Sequence, residues 1–248
     1  MNTGRSYPGK DLEAMSFAIN YHQWILEEFS PYLGNIVAEI GAGRGNFSEF
    51  LLKTDIKQLT AFEPSDNMIP FLLRKLDGYP RAEAVHAFFE EKSHQYVESF
   101  DSICYVNVLE HIEDDRSALK YAFRALAPGG HVLIFVPALA ALYSNQDKIL
   151  GHFRRYGPSD LSKMVKSAGF KIKYLRYFDI AGILPWYIAF VLFGKSTNAT
   201  NVMLYDRFVV PIMKNIEAKV SPIIGKNLIM VAQKPCVGTE SSGRQQLS

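Results

Sequence analysis

Cysteine is scarce in this chain, with only two in 248 residues: Cys104 inside an apolar run and Cys236 in a polar stretch near the end. Neither sits at disulfide-framework or metal-ligand spacing, so a cystine-stapled fold and a cysteine-based metal centre are excluded. A reducing, cytoplasmic location is expected, and no metal. Long apolar runs are missing too. Nothing reaches the roughly 18 residues that a membrane-spanning helix needs, and the opening "MNTGRSYPGKDLEAM" lacks the apolar centre of a signal peptide. Internal repeats are absent. What the chain does have is apolar content of 48 %, enough for a full core.

Charge is unevenly spread. Residues 1–150 carry 13 Lys/Arg against 20 Asp/Glu, and residues 151–248 carry 14 against 5. The basic second part suits an anionic acceptor, a membrane surface, or simply the acidic first part of the same chain.

The most informative stretch is "VAEIGAGRGNFSEFLL", Val37 to Leu52. An apolar run ends at Glu39-Ile40, glycines follow at 41, 43 and 45, and Phe47, Phe50 and Leu51 then recur at helical spacing. This reads as strand, glycine turn and helix, a turn that brings backbone N–H groups close to a ligand. The spacing departs from the dinucleotide fingerprint, because Asn46 stands where its third glycine belongs, and no lysine follows before Lys53 to make a triphosphate loop. An acid, Glu39, beside a G-x-G-x-G turn suits a ligand with an ammonium group and no phosphate.

Downstream, strands alternate with helices. Helical stretches are expected at Leu12–Phe29, Asn46–Leu52, Asn67–Leu76 and Arg116–Leu126. Strands are expected at Ile36–Ile40, "QLTAFEPS", "AEAVHAFF", the start of "FDSICYVNVLEHI", and "HVLIFVPA". That order implies a doubly wound parallel α/β sheet whose ligand lies at the carboxyl ends of the strands, where Glu39, Glu63, Asn107 and Pro137 fall. Glu63 ends the second strand and is placed to accept hydrogen bonds from two ribose hydroxyls, with Pro64 restricting the turn beside it.

Taken together, Glu39–Gly45, Glu63, "FDSICYVNVLEHIEDD" and "LAPGGHVLIFVP" resemble the class I S-adenosylmethionine-dependent methyltransferases over roughly residues 12–137. The segments "GHFRRYGPSDLSKMVKSAGFKI" and "GKNLIMVAQKP" resemble a bacterial subgroup of them. The resemblance implies a Rossmann-like seven-stranded sheet, mostly parallel, closed by Lys171–Phe178 and an antiparallel Asn227–Gln233. It also implies roles in holding S-adenosylmethionine. Glu39 and the backbone of Gly41, Ala42, Gly43 and Gly45 would take the amino-acid end, Glu63 and Pro64 the ribose side, and Met68 one face of the adenine. Asn107, Val108 and Leu109 would wall the sulfonium. The acid that family members often carry after the third strand is replaced here by Ala87-Phe88, so the adenine contact falls to Phe88 or to Glu90.

Methyl transfer from a sulfonium is an in-line displacement that needs positioning, and a base only if the acceptor is protonated. The candidate bases are His111, His152 and Tyr156. Arg154, Arg155, Tyr156 and Trp186 are candidate acceptor contacts, the arginines for an anionic group; Arg154 and Arg155 could equally pair with the acidic part of the chain. "DIAGILPWYIAFVLFGK" is too short to span a bilayer. It reads as a buried lid or dimer face, a wall for a hydrophobic acceptor, or an interfacial contact, of which an apolar cover for the pocket is the reading adopted. The expectation is one domain over residues 1–236, with a helical insertion at 181–224 and a polar, disordered tail from 237. A small-molecule, lipid- or glycan-linked acceptor is expected, methylated at oxygen or nitrogen. No DNA is expected as acceptor, since Asn107 is followed by Val108-Leu109-Glu110 and not by the proline-rich signature of base methyltransferases. The alternatives are a non-catalytic S-adenosylmethionine-binding partner subunit and a nicotinamide-dependent oxidoreductase.

Overall fold

A computed structural model describes residues 16–194 and 199–236. The expected start of the first helix at Leu12, the end of the apolar stretch at Lys195, and the tail from 237 lie outside them. Seven strands form one sheet in the order β3-β2-β1-β4-β5-β7-β6. They are β1 Ile36–Ile40, β2 Gln58–Phe62, β3 Ala82–Val85, β4 Phe100–Val106, β5 Leu126–Pro137, β6 Lys171–Phe178 and β7 Asn227–Gln233. β7 runs antiparallel to both its neighbours, and the other pairings are parallel.

The helices around the sheet are α1 Ile19–Phe29, α2 Asn46–Leu51, α3 Ile69–Leu76, α4 Phe89–Lys92, α5 Asp115–Ala125, α6 Asn145–Leu150 and α7 Pro158–Ser167. Between β6 and β7 come α8 Ile183–Trp186, continued by a π-helical turn Tyr187–Leu192, then α9 Ala199–Phe208 and α10 Val210–Glu217. Helices cover both faces, so the inner strands are apolar on both sides. In β1, Ala38 and Ile40 join the core on one face while Val37 joins the core on the other.

One strand ends earlier than its sequence suggests. "AEAVHAFF" pairs only through Val85, and Phe89 instead opens the short α4. The reason is packing: the Phe89 ring turns inward against Phe62, centroids 5.1 Å apart at 72°, and leaves Phe88 exposed. The fifth strand is longer than expected, starting at Leu126, with a bulge against β4 between Phe100 and Ser102.

The start of α1 is capped from far away. Its N-terminal residue Ala18 supplies no side-chain cap. Instead the Asp206 carboxylate of α9 accepts the backbone N–H groups of Asn20 (3.0 Å) and Tyr21 (2.8 Å). Nearby, the fully buried Asp179 accepts hydrogen bonds from the hydroxyls of Tyr21 (3.1 Å) and Tyr205 (2.5 Å) and faces Lys226 Nζ at 3.1 Å. The insertion is thus bolted to the first helix and to the closing strand by buried polar contacts.

Candidate functional site

Gly41, Gly43 and Gly45 all adopt positive φ (66°, 57° and 80°), which only glycine takes without strain. At Gly41 a Cβ would also fall 2.8 Å from Val108, so the loop after β4 presses directly on the turn. The turn is tied to β2 by Ala42 N–H donating to the Phe62 carbonyl (2.9 Å), and Gly45 caps α2. Glu63 accepts the N–H groups of Gly43 and Ser65, each at 2.7 Å. Each carboxylate oxygen can accept more than one hydrogen bond, so ribose hydroxyls can still be received there.

Glu39 is buried and accepts the Ser48 hydroxyl at 2.5 Å. Burial lifts its carboxyl to about 8, opposed by the Ser48 hydrogen bond and assisted by the nearby Glu63 charge. Asn107 follows β4 with φ +54°, a left-handed conformation that asparagine tolerates, and its N–H donates to the Phe135 carbonyl at 2.8 Å.

These strand ends open onto a cavity of about 460 Å³. Glu39, Gly41, Ala42 and Asn107 line one side; Glu63, Pro64, Met68 and Phe88 fall outside its lining. Tyr21 and His22 of α1, Glu110, His111, His152, Arg155, Trp186, Phe190 and Lys226 contribute to the rest. Burial pushes the His22 imidazole down to about 4.

The wall holding His152 is assembled from two loops stitched together by backbone. Phe153 N–H donates to the Glu110 carbonyl (2.8 Å), and Gly151, with φ +80°, closes α6 and turns the chain so that His152 faces His111. The two imidazole rings meet edge to face, 4.6 Å between centroids. His152 Nδ1 lies 2.9 Å from Asp147 Oδ1, and Arg155 grips the same carboxylate through Nε (2.9 Å) and a terminal nitrogen (3.2 Å). Burial alone would raise the Asp147 carboxyl, but the His152 hydrogen bond and the Arg155 charge hold it below the usual range. Burial pushes the Glu110 carboxyl up to about 7, moderated by His152, and burial with the neighbouring His152 pushes His111 down to about 3.

Several residues named from sequence are placed elsewhere. Tyr156 is buried away from the cavity, its hydroxyl donating to Asp115 (2.8 Å) within reach of the Leu109 carbonyl (3.0 Å). Burial and the Asp115 charge push its phenol far up, which unsuits it as a base. Arg154 reaches Asp115 (2.7 Å) and the Glu113 carbonyl, pairing with the acidic part of the chain instead of facing an acceptor. Arg155 lines the cavity, but its charge is taken by Asp147, and its guanidinium stacks 4.7 Å from the Trp186 ring. Trp186 also lines the cavity, with its indole N–H on the Leu142 carbonyl at 3.1 Å. Sequence reading passed over Asp147, Tyr21 and Lys226. Only Asp147 left a trace, as the capping-box acid of α6.

The apolar stretch has two sides. Pro185, Trp186, Ala189 and Phe190 line the cavity, whereas Leu184, Leu192 and Phe193 are 64 %, 58 % and 68 % exposed. No helix among the described residues is long and apolar enough to cross a membrane.

A Rossmann-like sheet with a glycine turn, a buried acid on either side of it and a cavity at the strand ends defines an enzyme that works on a nucleoside-containing cofactor. A family model described as a methyltransferase domain matches residues 21–175, and the chain belongs to that family: it is an S-adenosylmethionine-dependent methyltransferase, with S-adenosylmethionine as its cofactor. It is similar to the ubiquinone biosynthesis O-methyltransferase of Aliivibrio fischeri, 24 % identical over 109 residues that make up 44 % of this chain and 47 % of the relative. The chain thus spans about half the length of such curated relatives. Among solved structures it is similar to a chain of the complex between the Haloferax volcanii Trm112 methyltransferase activator and a methyltransferase, at TM-score 0.65 and 14 % identity, covering 92 % of this chain and 95 % of that one. An S-adenosylmethionine-dependent methyltransferase of Thermotoga maritima gives TM-score 0.63 at 17 % identity, over 91 % and 95 % of the two chains. At these identities the structures show the shared fold alone.

Proposed function

We propose that this methyltransferase transfers the sulfonium methyl group to a hydroxyl oxygen of a small acceptor with an apolar body. One observation carries the reading: a single cavity joins Glu39, Gly41 and Asn107 to Glu110, His111 and His152 under an apolar roof of Trp186 and Phe190. In this reading Glu39 and the Gly41–Gly45 backbone hold the amino-acid end of the cofactor, and Glu63 the ribose. Met68 and Phe88 then stand near the adenine. Asn107, Val108 and Leu109 shape the wall beside the sulfonium.

The chemistry asks little covalent help. As the acceptor oxygen bonds the methyl carbon, the carbon–sulfur bond breaks in line, the sulfonium charge is lost, and S-adenosylhomocysteine leaves. The acceptor hydroxyl must lose its proton, and the Glu110, His111 and His152 group is the set of proton-handling side chains on that wall. The similarity to O-methyltransferases favours oxygen over nitrogen.

The test supplies the purified protein with methyl-labelled cofactor and a panel of phenols, aliphatic alcohols and amines of graded apolar size. Label should appear in hydroxyl acceptors. His152→Ala should lower turnover by tenfold or more while cofactor affinity stays within about twofold, the signature of an acceptor-side contact. Arg154→Ala should keep its turnover in the folded fraction. Label confined to amines would overturn the oxygen assignment. Tight cofactor binding with no label in any acceptor would support the partner-subunit alternative.

A further inference from the structure

Glu110, His111 and His152 each offer one ligand atom, and the three atoms lie within 4.8 Å of one another. Atoms sharing one ion at bond lengths of about 2.1 Å and tetrahedral angles stand about 3.4 Å apart, so side-chain shifts of about 1 Å or less on each ligand would close the set. Two further observations point the same way. First, Glu110 is completely buried, yet neither of its carboxylate oxygens has a hydrogen-bond partner, a costly state for a polar group unless something else satisfies it. Secondly, both imidazoles are oriented by outer partners. His152 Nδ1 sits against Asp147 Oδ1, so the neutral ring holds its proton there and its lone pair on Nε2, and Asp147 is itself fixed by Arg155 and the Ser144 N–H. His111 hydrogen-bonds the backbone of Leu150 and Gly151. A carboxylate or carbonyl behind each ligating histidine is the usual support of a metal-bound imidazole.

We propose that Glu110, His111 and His152 together bind one divalent first-row transition metal ion, in the manner of zinc or manganese, at the acceptor end of the cavity. Two imidazoles and one carboxylate select such an ion over magnesium or calcium, which prefer all-oxygen sets, and three protein ligands leave a position open. Building on the oxygen-acceptor reading, that position takes the acceptor hydroxyl. Coordination makes the hydroxyl acidic, its proton passes to solvent, and the resulting oxygen attacks the methyl carbon while the carbon–sulfur bond breaks. The roles of His111 and His152 are then those of ligands holding the ion, and Glu110 supplies the negative charge.

The test uses untagged full-length protein stripped with chelator. Zinc or manganese is titrated calorimetrically, and cobalt(II) is added as an optical probe of coordination. One equivalent should bind, raise the melting temperature and give a visible cobalt spectrum of low coordination number. Glu110→Gln preserves shape, and with no hydrogen bond to lose it should fold. It should weaken metal binding at least tenfold while cofactor affinity stays within about twofold. Absence of stoichiometric binding, or binding unchanged in Glu110→Gln, would overturn the site. Methyl transfer that survives chelation in a protein without metal would sink this inference and leave the acceptor reading standing; metal binding without transfer to any hydroxyl would do the reverse.

Discussion

The side of the cavity proposed for the cofactor draws on residues close together in the chain at two strand ends, Glu39, Gly41 and Ala42 after β1 and Val106 and Asn107 after β4. The side proposed for the acceptor gathers Tyr21, Glu110, His152, Trp186 and Lys226 from five separate stretches of chain. The first side works through backbone conformation: three glycines with positive φ and two carboxylates gripping amides and a hydroxyl. The second works through side chains held by one another, Asp147 between His152 and Arg155, and Asp179 between Tyr21, Tyr205 and Lys226. A site made by local backbone is sensitive to spacing. A site made by remote side chains is sensitive to the loss of any one partner.

Four measurements would break or sharpen that contrast. The largest effect is expected from Arg155→Ala, which takes from the fully buried Asp147 its guanidinium partner and the two hydrogen bonds that Arg155 donates to it. Removing one partner of a buried pair costs about 3–5 kcal/mol, so the unfolding midpoint in denaturant should fall steeply. A loss below about 1 kcal/mol would show that the acceptor wall does not depend on this network.

Next comes a pH effect on the cofactor side. Glu39 ionises at about 8 in the folded protein against 4.5 when exposed, so the folded state binds its proton more tightly. The stability this confers is complete below pH 4.5 and is lost as pH rises through 8. Glu39→Gln should therefore gain melting temperature relative to the wild type between pH 5 and 9; a difference constant across that range would contradict the assignment.

Smaller again, Glu63→Ala should weaken S-adenosylmethionine binding at least tenfold in a calorimetric titration, about 1.4 kcal/mol or more, through loss of charge-assisted bonds to the ribose. Unchanged affinity would place the ribose elsewhere. The smallest effect is expected from Asp206→Ala. It removes the acceptor for two first-turn amides of α1 and should cost about 1–2 kcal/mol in chemical denaturation, with Asp206→Asn recovering part of it. No loss would mean that water caps the helix as well as the carboxylate does.

How much was legible beforehand follows the same division. β1 begins and ends where its apolar run does, because a doubly covered strand must be apolar throughout, and the glycine turn announces itself by spacing; the bounds of β7 and of the edge strand β6, which carries Lys171, Lys173 and Arg176, came with the family resemblance and not from an apolar run. The end of β3 was not legible, since whether Phe88 or Phe89 turns inward depends on Phe62, a partner 27 residues earlier. In "GHFRRY", four polar side chains within five residues looked alike as acceptor contacts. Only the fold shows that Tyr156 and Arg154 are spent on Asp115, Arg155 on Asp147, and that His152 alone among them is turned toward His111. Glu110 gave no signal of being unpartnered, because a missing hydrogen bond is a property of the packed interior and leaves no mark on the order of residues.

The cap that Asp206 places on α1 has a consequence for the order of events during synthesis. The helix leaves the ribosome ahead of every strand of the sheet, but two of its opening amides gain their protein partner only after about 185 further residues have been made. Until then α1 can pack its apolar face against the sheet but cannot settle its first turn, and Tyr21, which belongs to the cavity and to the Asp179 contact, waits with it. Closing so distant a contact is slow. A nascent chain halted before residue 206 would therefore carry a formed glycine turn beneath an open roof, able to meet the cofactor before it can enclose an acceptor.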